Sequence, residues 1–235
     1  MMSIIMPIYD RTDILKLAIE SALKQTWNAF ELLLIMDGSP EETKKVVMEY
    51  YDHPRVRIFE TKKQTGNACI PRNIGITEAS GDYIIFLDSD DLAEPTRLED
   101  SFNGLQSADV IHGEFYVLFE DGTKELRKHK QQNHEELMRG NGLCQSTVAC
   151  KTEVLRKEKG CKRKMHYMED YELWCRLSNK GYIIKHIDKI LSTYRFHSGN
   201  LEKEIGNDSW KDELLKEYKI TPEIIDLVDY KEINL

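Results

Sequence analysis

The sequence has no long hydrophobic run, no paired cysteines and no excess of basic residues. Its apolar stretches all fall short of the roughly 18 residues that a membrane-spanning helix needs. Its five cysteines include no CxxC pair, which argues against a disulfide framework and against a structural zinc site. The formal net charge of −8 argues against sequence-independent nucleic-acid binding, which needs a basic surface. We therefore expect reduced thiols and no nucleic-acid partner.

The first residues also lack the features of a signal peptide. The stretch MMSIIMPIYD has no basic n-region and reaches Pro7 early. Together with the unpaired cysteines, this predicts a cytoplasmic protein. The 235 residues, 40% of them hydrophobic and 31% charged, suffice for one large domain, alone or with a small appendage. We find no internal repeat and no low-complexity linker that would divide the chain.

The first half of the chain alternates short apolar runs with helical patterns. Four apolar runs predict strands: residues 3–8, 32–36, 56–59 and 83–87. Three segments between them have helical spacing: residues 14–23, 41–51 and 74–79. This alternation predicts a parallel sheet that is covered on both faces, and ligands bind such sheets beyond the carboxyl ends of the strands. Tyr9, Asp37 and residues 88–91 stand at those ends.

After Pro95 the pattern becomes mixed. A long apolar and β-branched run at 109–119 predicts a strand that turns at Asp121 and Gly122 and returns antiparallel. Further strands are predicted at 145–149, 182–186 and 191–196. Helices are predicted at 151–158, at 169–180 and from about residue 209. One α/β domain with a mixed second half is the economical interpretation.

Three carboxylates close the fourth predicted strand, in the sequence FLDSDD. Asp88 and Asp90 could both reach one hard cation such as Mg²⁺ or Mn²⁺. Asp90 and Asp91 could equally begin a helix after Leu92, since aspartate often caps helices. A phosphoaspartate phosphatase also ends a strand with DxD, although there the motif usually closes the first strand. Spacing alone leaves the metal and the cap equally open.

A longer series of motifs changes that balance. SIIMPIYDR, ELLLIMDGSPEE, PRNIGITEASGDYIIFLDSDD, MEDYELWCRL and YRFHSGN follow one another over roughly residues 3–200. In this order and spacing they resemble the family 2 glycosyltransferases of the GT-A fold. The resemblance implies a central, mostly parallel mixed sheet flanked by helices. It implies a GT-A domain at residues 1–200, with a nucleotide-binding half at about 1–92 and an acceptor half at about 93–200, followed by a C-terminal helical extension at 201–235.

The resemblance implies a nucleotide-sugar site in the first half of the chain. Pro7, Ile8 and Tyr9 would line the nucleotide pocket with backbone groups. Asp37 would accept a hydrogen bond from the N–H of uracil or a similar base. A turn-forming role for Asp37 stays open, because Asp-Gly-Ser favours a tight turn. The family often has a second acid before this aspartate, and here that position is Met36.

The same resemblance assigns Arg72 and the acidic turn. Arg72 matches a basic residue near the nucleotide, while a surface pairing with Glu78 or another neighbour is the alternative. Asp88 would contact ribose or metal, and Asp90 would bind the metal, which is Mn²⁺ or Mg²⁺. Asp91 is expected to begin the next helix.

Two further motifs complete the implied site. Asp170 would be the general base that takes a proton from the acceptor hydroxyl, and Glu169 would orient the base or the acceptor. Two acids in a first helical turn also complement the helix dipole without any catalytic role. His197 would lie by the diphosphate or complete the metal shell, although a lone histidine is commonly structural. A single displacement with one base inverts the anomeric configuration.

A basic run stands out at residues 156–164, where six of nine residues are Lys or Arg. Such a run is usually a solvated face. Here it precedes Glu169 and Asp170, so it could contact an anionic membrane surface or a phosphorylated acceptor such as a lipid diphosphate. Peripheral location at the inner face of the membrane is therefore a second expectation.

These features predict transfer of one or a few sugars from a nucleoside-diphosphate sugar, with UDP favoured by family frequency, to a glycan or lipid-linked acceptor in surface polysaccharide biosynthesis. The chain has no QxxRW motif of the processive synthases. A sugar-nucleotide nucleotidylyltransferase is the first alternative, but it needs a glycine-rich loop where this chain has YDRTDILK. A non-catalytic binding module is the second, and it would be expected to lack acids such as Asp88, Asp90 and Asp170.

Overall fold

The computed structural model describes residues 1–132, 134–137, 142–162, 169–197 and 230–233. The strands in this part of the chain are β1 (Met2–Ile8), β2 (Phe30–Met36), β3 (Val56–Thr61), β4 (Tyr83–Phe86), β5 (Leu92–Ala93), β6 (Val110–Leu118), β7 (Lys124–Arg127), β8 (Ala149–Lys151), β9 (Ile184–Arg195) and β10 (Tyr230–Glu232). The helices are α1 (Thr12–Leu23), α2 (Glu41–Met48), α3 (Cys69–Glu78), α4 (Arg97–Leu105), α5 (His134–Leu137), α6 (Thr152–Lys157) and α7 (Glu169–Asn179). A 3-10 turn spans Gln145–Thr147.

The strands form one mixed sheet in the order β10-β3-β2-β1-β4-β8-β6-β9-β5, with β7 beside β6. Strand β1 runs parallel to β2 and β4, and β2 runs parallel to β3. This confirms the parallel first half that the alternating pattern predicts. In the second half, β6 and β9 are parallel, whereas β8 is antiparallel to both β4 and β6. The predicted α/β fold class, a mixed sheet flanked by helices, is confirmed.

The first two strands are mainly apolar, as expected for a sheet that is covered on both faces. Ile5 faces the core that contains α3, α6 and α7, while its neighbour Ile4 faces the core that contains α1 and α4. Both are at most 1% exposed. Helix α3 lies very close to β1, because a Cβ at Gly75 would stand only 2.5 Å from the Ile5 side chain. This close approach fixes α3, and with it Arg72, against the central strand.

Two predicted elements differ in the second half. The strands predicted at 182–186 and 191–196 are one continuous strand, β9. Its polar middle is accommodated by a bulge, since the register against β6 shifts on both sides of Glu114. Gly113 permits this, because a Cβ there would stand 2.6 Å from the Lys189 carbonyl oxygen. The strand predicted at 145–149 is wrong except at its last residue, because the chain forms the 3-10 turn first and β8 begins only at Ala149.

The helix start predicted after Leu92 is also wrong. Leu92 and Ala93 form β5, which pairs antiparallel with β9, and the next helix begins only at Arg97. Asp91 is buried and accepts a hydrogen bond from the Arg195 N–H instead of capping a helix. The physical reason is that β5 gains a sheet partner, so the chain turns into α4 only after Pro95.

The remaining expectations for the chain are partly met. The predicted turn at Asp121 and Gly122 joins β6 to β7, with Gly122 at a φ of 85°. The helices predicted from about residue 209 lie outside the described residues. Where the description resumes, β10 pairs antiparallel with β3 and was not predicted. None of the helices in the described ranges has the length and apolar character needed to cross a bilayer.

Candidate active site

The carboxyl ends of β1, β2 and β4 meet at one edge of the sheet, as the sequence predicts. Pro7 and Ile8 end β1, and Tyr9 follows with 40% of its surface exposed. Asp37 follows β2, and its backbone N–H donates to the Ile8 carbonyl oxygen at 2.7 Å. Asp88 lies two residues after the end of β4, at the same edge of the sheet. Parallel pairing of these strands therefore gathers residues that are far apart in sequence.

Arg72 joins this edge to helix α7. Its Nη2 donates to Asp88 Oδ1, and its Nη1 donates to Glu169 Oε1, both at 2.8 Å. Burial alone would lower the pKa of Arg72, but the charges of Asp88 and Glu169 raise it, so the guanidinium stays charged. The alternative pairing with Glu78 is wrong, since Glu78 forms its ion pair with Arg57.

Asp170 lies next to this bridge at the start of α7. Partial burial and the neighbouring charge of Glu169 raise the pKa of Asp170 to about 6, against the opposing effects of Arg72 and of the Tyr171 N–H. A carboxyl group with a pKa near the working pH is well suited to accept a proton. Glu169 Oε2 is buried and has no hydrogen-bond partner among the described residues. The two acids predicted as a functional pair are thus placed together and in distinct environments.

Asp90 faces His197, with Asp90 Oδ2 at 3.2 Å from His197 Nε2. The Arg11 guanidinium is also near, with its Nε 3.9 Å from the same oxygen. Burial and the charge of Asp88 raise the pKa of Asp90, while His197 opposes the shift. Arg11 was not among the predicted site residues. Its position directly after Tyr9 and Asp10 was the available signal, and its φ of 83° marks an unusual backbone there.

The predicted metal ligands are only partly brought together. Asp90 and His197 adjoin, but Asp88 is engaged by Arg72, and no group of three or more His, Cys, Asp or Glu residues within the described ranges is arranged to hold a metal. The remaining pair fits a cation, since neighbouring ligands in an octahedral Mg²⁺ shell lie about 3 Å apart. Carboxylate and imidazole also suit Mn²⁺. The described residues therefore offer two ligands, and a diphosphate and water would have to supply others.

Asp37 is engaged in hydrogen bonds from within the protein. Its carboxylate accepts hydrogen bonds from the Thr61 hydroxyl at 3.0 Å, the Thr65 hydroxyl at 2.9 Å and the Thr65 N–H at 3.1 Å. Burial nevertheless raises its pKa. The Thr65 N–H is shared between the two carboxylate oxygens, so three donors make four contacts with Asp37. In this arrangement Asp37 fixes the loop after β3, and base recognition by Asp37 stays a prediction.

Part of the basic run at 156–164 is engaged in contacts within the protein. Arg156 donates hydrogen bonds to the carbonyl groups at the C-terminal end of α3. Lys162 forms an ion pair with Glu172 at 2.9 Å. Residues 163 and 164 lie outside the described part of the chain. Contact of this run with a membrane or a phosphorylated acceptor stays a prediction.

Solved structures of sugar-nucleotide enzymes share this architecture. TarS 1–349 of Staphylococcus aureus in complex with UDP-GlcNAc matches with a TM-score of 0.68 and 18% identity, over 93% of this chain and 71% of that one. Mannosyltransferase PcManGT from Pyrobaculum calidifontis, in complex with GDP-Man and Mn²⁺, matches with a TM-score of 0.67 and 12% identity, over 86% of this chain and 59% of that one. The chain has the GT-A fold of these transferases.

The sequence comparison gives the family. The model of glycosyl transferase family 2 matches residues 3–161, and the chain belongs to this family. An uncharacterized glycosyltransferase of Haemophilus influenzae is 34% identical over 161 residues, which is 66% of this chain and 64% of the relative. The poly(ribitol-phosphate) β-N-acetylglucosaminyltransferase TarP of Staphylococcus aureus is 39% identical over 121 residues, 49% of this chain and 36% of TarP. The chain thus spans less than two thirds of the length of these relatives. The family match confirms the predicted family.

Proposed function

We propose that the chain transfers a sugar from a nucleoside-diphosphate sugar to a hydroxyl group of a glycan or lipid-linked acceptor, with inversion at the anomeric carbon. The observation that carries this proposal is the bridge through Arg72. A single buried guanidinium contacts both Asp88, at the nucleotide edge of the sheet, and Glu169, beside the candidate base. The donor and the acceptor must come within a few ångströms of each other for transfer. The bridge joins the end of β4, on the nucleotide side, to the start of α7, which carries the candidate base.

Asp170 accepts the proton of the acceptor hydroxyl in this proposal. As the oxygen attacks the anomeric carbon, its proton passes to the Asp170 carboxylate, which contributes about 10²–10⁴-fold to the rate. With a pKa of about 6, the group is mostly ionised at neutral pH and can still hold the transferred proton. Glu169 keeps Arg72 in place and raises the basicity of its neighbour. One base and one displacement lead to inversion.

Asp90 and His197 are the residues that would hold a divalent metal, Mn²⁺ or Mg²⁺. When bound, the metal stabilises the negative charge of the departing diphosphate. Asp88 keeps the Arg72 guanidinium beside this position, and Arg11 adds a second cation 3.9 Å from Asp90. Both guanidinium groups are suited to bind phosphate oxygens. The structure of PcManGT in complex with GDP-Man and Mn²⁺ supports a divalent metal in this proposal.

We propose UDP as the nucleotide and a surface polysaccharide as the product. TarS binds UDP-GlcNAc, and the name of TarP describes N-acetylglucosamine transfer to poly(ribitol-phosphate). Pro7, Ile8, Tyr9 and Asp37 form the edge where the nucleotide would lie. A phosphate-rich or lipid-linked acceptor would suit the basic run at 156–164, from a cytoplasmic location at the inner face of the membrane.

Calorimetric titration of the purified chain with UDP, GDP, dTDP and their sugars, each with Mn²⁺ and with EDTA, tests the donor. We expect the tightest binding for a UDP-sugar, and weaker but measurable binding in EDTA than with Mn²⁺. Asp170→Asn is the matched variant for the base: it should bind the donor as the wild type does but lose transfer. Failure of every nucleotide to bind would refute the proposed donor, and full transfer by Asp170→Asn would place the base elsewhere.

A further inference from the structure

Asp91 is the one acid of the FLDSDD turn that faces the interior. It is only 1% exposed. Its carboxylate accepts a hydrogen bond from the Arg195 N–H at 3.0 Å, and its own N–H donates to the Asp88 carbonyl oxygen at 3.1 Å. The first contact ties the turn to the end of β9, and the second closes the turn itself.

These two contacts act on the candidate metal pair. Asp90 immediately precedes Asp91, and His197 follows Arg195 by two residues. The Asp91–Arg195 hydrogen bond is therefore a direct link between the two chain segments that carry Asp90 and His197. The 3.2 Å separation between Asp90 Oδ2 and His197 Nε2 depends on both segments keeping this relative position.

Ser146 forms a hydrogen bond with the acidic turn. Its hydroxyl accepts the Asp88 N–H at 3.1 Å. The same hydroxyl opposes the effect of burial, which raises the pKa of Asp91. Ser146 is fully buried, so the turn is held by groups that solvent does not reach.

Arg97 in turn holds Ser146. Its buried guanidinium donates to the carbonyl oxygens of Ser146, of Val148 at 2.9 Å and of Phe86 at 3.4 Å. Among the residues that the structure describes, no carboxylate forms an ion pair with it. Burying a cation without a counter-charge is costly. The three carbonyl oxygens offset this cost by accepting hydrogen bonds from the guanidinium. They fasten the end of β4, which leads into the acidic turn, to the 3-10 turn that carries Ser146.

We propose that Asp91 is a positioning residue that holds Asp90 opposite His197 for a divalent cation bound together with a diphosphate, and that Ser146 and Arg97 support it. This inference rests on the proposed function, because it concerns the same site. Groups that orient a ligating carboxylate commonly change metal affinity when they are removed. Asp91 itself contacts neither the metal nor the nucleotide in this proposal.

The test measures Mn²⁺ binding directly. Free Mn²⁺ is followed by electron paramagnetic resonance in the presence of UDP, and UDP binding in EDTA is followed by calorimetry. Asp91→Ala should weaken Mn²⁺ binding about 10–100-fold, with UDP binding in EDTA unchanged. Asp91→Asn keeps an oxygen acceptor for the Arg195 N–H, so its Mn²⁺ affinity should stay close to that of the wild type. Asp52→Ala, at an exposed aspartate, is the control.

The outcomes separate this inference from the proposed function. If the wild type binds Mn²⁺ and UDP but Asp91→Ala binds Mn²⁺ equally well, the positioning role is refuted and the function stands. An equal loss in Asp91→Asn and Asp91→Ala would also refute it, because the charge would then matter more than the hydrogen bonds. A wild type that binds no nucleotide with Mn²⁺ would refute the function and this inference together. Should Asp91→Ala not fold, Ser146→Ala replaces it, with weaker Mn²⁺ binding expected and unchanged binding refuting the inference.

Discussion

The Nη1 atom of Arg72 lies 2.8 Å from Oε1 of Glu169, although the two residues are 97 positions apart in the chain. Both side chains are almost completely buried. The same guanidinium contacts Asp88, so one cation connects the end of β4 with the start of α7. Arg72 therefore contributes to the relative position of the two halves of the site, together with the contact of Phe86 with Trp174. Its removal should affect both stability and catalysis.

Arg72→Ala is expected to leave the carboxylates of Asp88 and Glu169 without their partner. Removing one member of a buried ion pair costs about 3–5 kcal/mol, and the partial exposure of Asp88 places this case at the lower end. Urea unfolding of the variant should show this loss, together with a strong loss of transfer. Arg72→Lys is the matched variant, and because an ammonium group cannot form the same fork it should recover stability better than activity. Equal recovery of both would contradict the bridge as a catalytic feature.

The pH dependence of transfer should report Asp170. Activity is expected to fall as the pH decreases through about 6, since the base becomes protonated there. Glu169 raises the pKa of Asp170, so Glu169→Gln should move this acid limb to lower pH. Arg72→Lys, which keeps the positive charge, should move it less. The measurement is kcat/KM against pH with the wild type and both variants; an unmoved acid limb in Glu169→Gln would contradict the assignment.

The same pKa shift has a consequence for stability. The pKa of Asp170 is raised in the folded state above its ordinary value of 3.8, so the folded protein binds this proton more tightly than the unfolded chain. The contribution of this group to stability is therefore lost as the pH rises from about 4 to about 6. Asp170→Asn removes the buried charge and should be more stable than the wild type at pH 7, with little difference at pH 4. Urea unfolding at both pH values checks this, and lower stability of the variant at pH 7 would contradict it.

The sequence predicts the position of the acids well because strand ends can be recognised locally. The apolar runs before Asp37 and Asp88 stop where the carboxylates begin, and parallel pairing then brings these ends to one edge. The GT-A fold and the family follow from motifs in a fixed order. The pairing of Asp90 with His197 is consistent with the predicted metal role of both, although their participation in a metal site stays a prediction.

Contacts between distant segments could not be predicted in the same way. Arg72 selects Glu169 and Asp88 as partners only because α3 and α7 lie on the same side of the sheet. Asp91 followed a helix-cap pattern in sequence, yet pairing between β5 and β9 changed its role. The polar residues in the middle of β9 predict two separate strands. The structure has one strand with a bulge opposite Gly113, and the β9 sequence carries no local signal for that bulge.

Asp37 should prove important for stability as well as for any base recognition. Asp37→Ala leaves the part-buried Thr65 N–H without its acceptor, which costs about 1–3 kcal/mol. The Thr61 and Thr65 hydroxyls can still donate to the carbonyl oxygens of Lys63 and Asn67. Thr65→Val is the matched variant, since it loses one hydroxyl donor but leaves the carboxylate. If Asp37 reads the base, Asp37→Asn should lose preference for UDP over CDP while Thr65→Val keeps it. If neither variant loses the preference for UDP, Asp37 only fixes the loop after β3. Urea unfolding and calorimetry with the two nucleotides provide both readouts.

Gly75→Ala should disturb the site from within the core. The added Cβ would stand 2.5 Å from the side chain of Ile5, which is fully buried and cannot move freely. Overpacking of this kind costs about 1–3 kcal/mol, more than the helix gains from replacing glycine. Because Arg72 lies one turn earlier on α3, a shift of the helix away from β1 should also reduce transfer. Ile5→Ala makes room for the new methyl group, so the double variant should lose less stability than the sum of the single variants. Strict additivity of the two losses in urea unfolding, or full activity in Gly75→Ala, would show that the contact between α3 and β1 does not position Arg72.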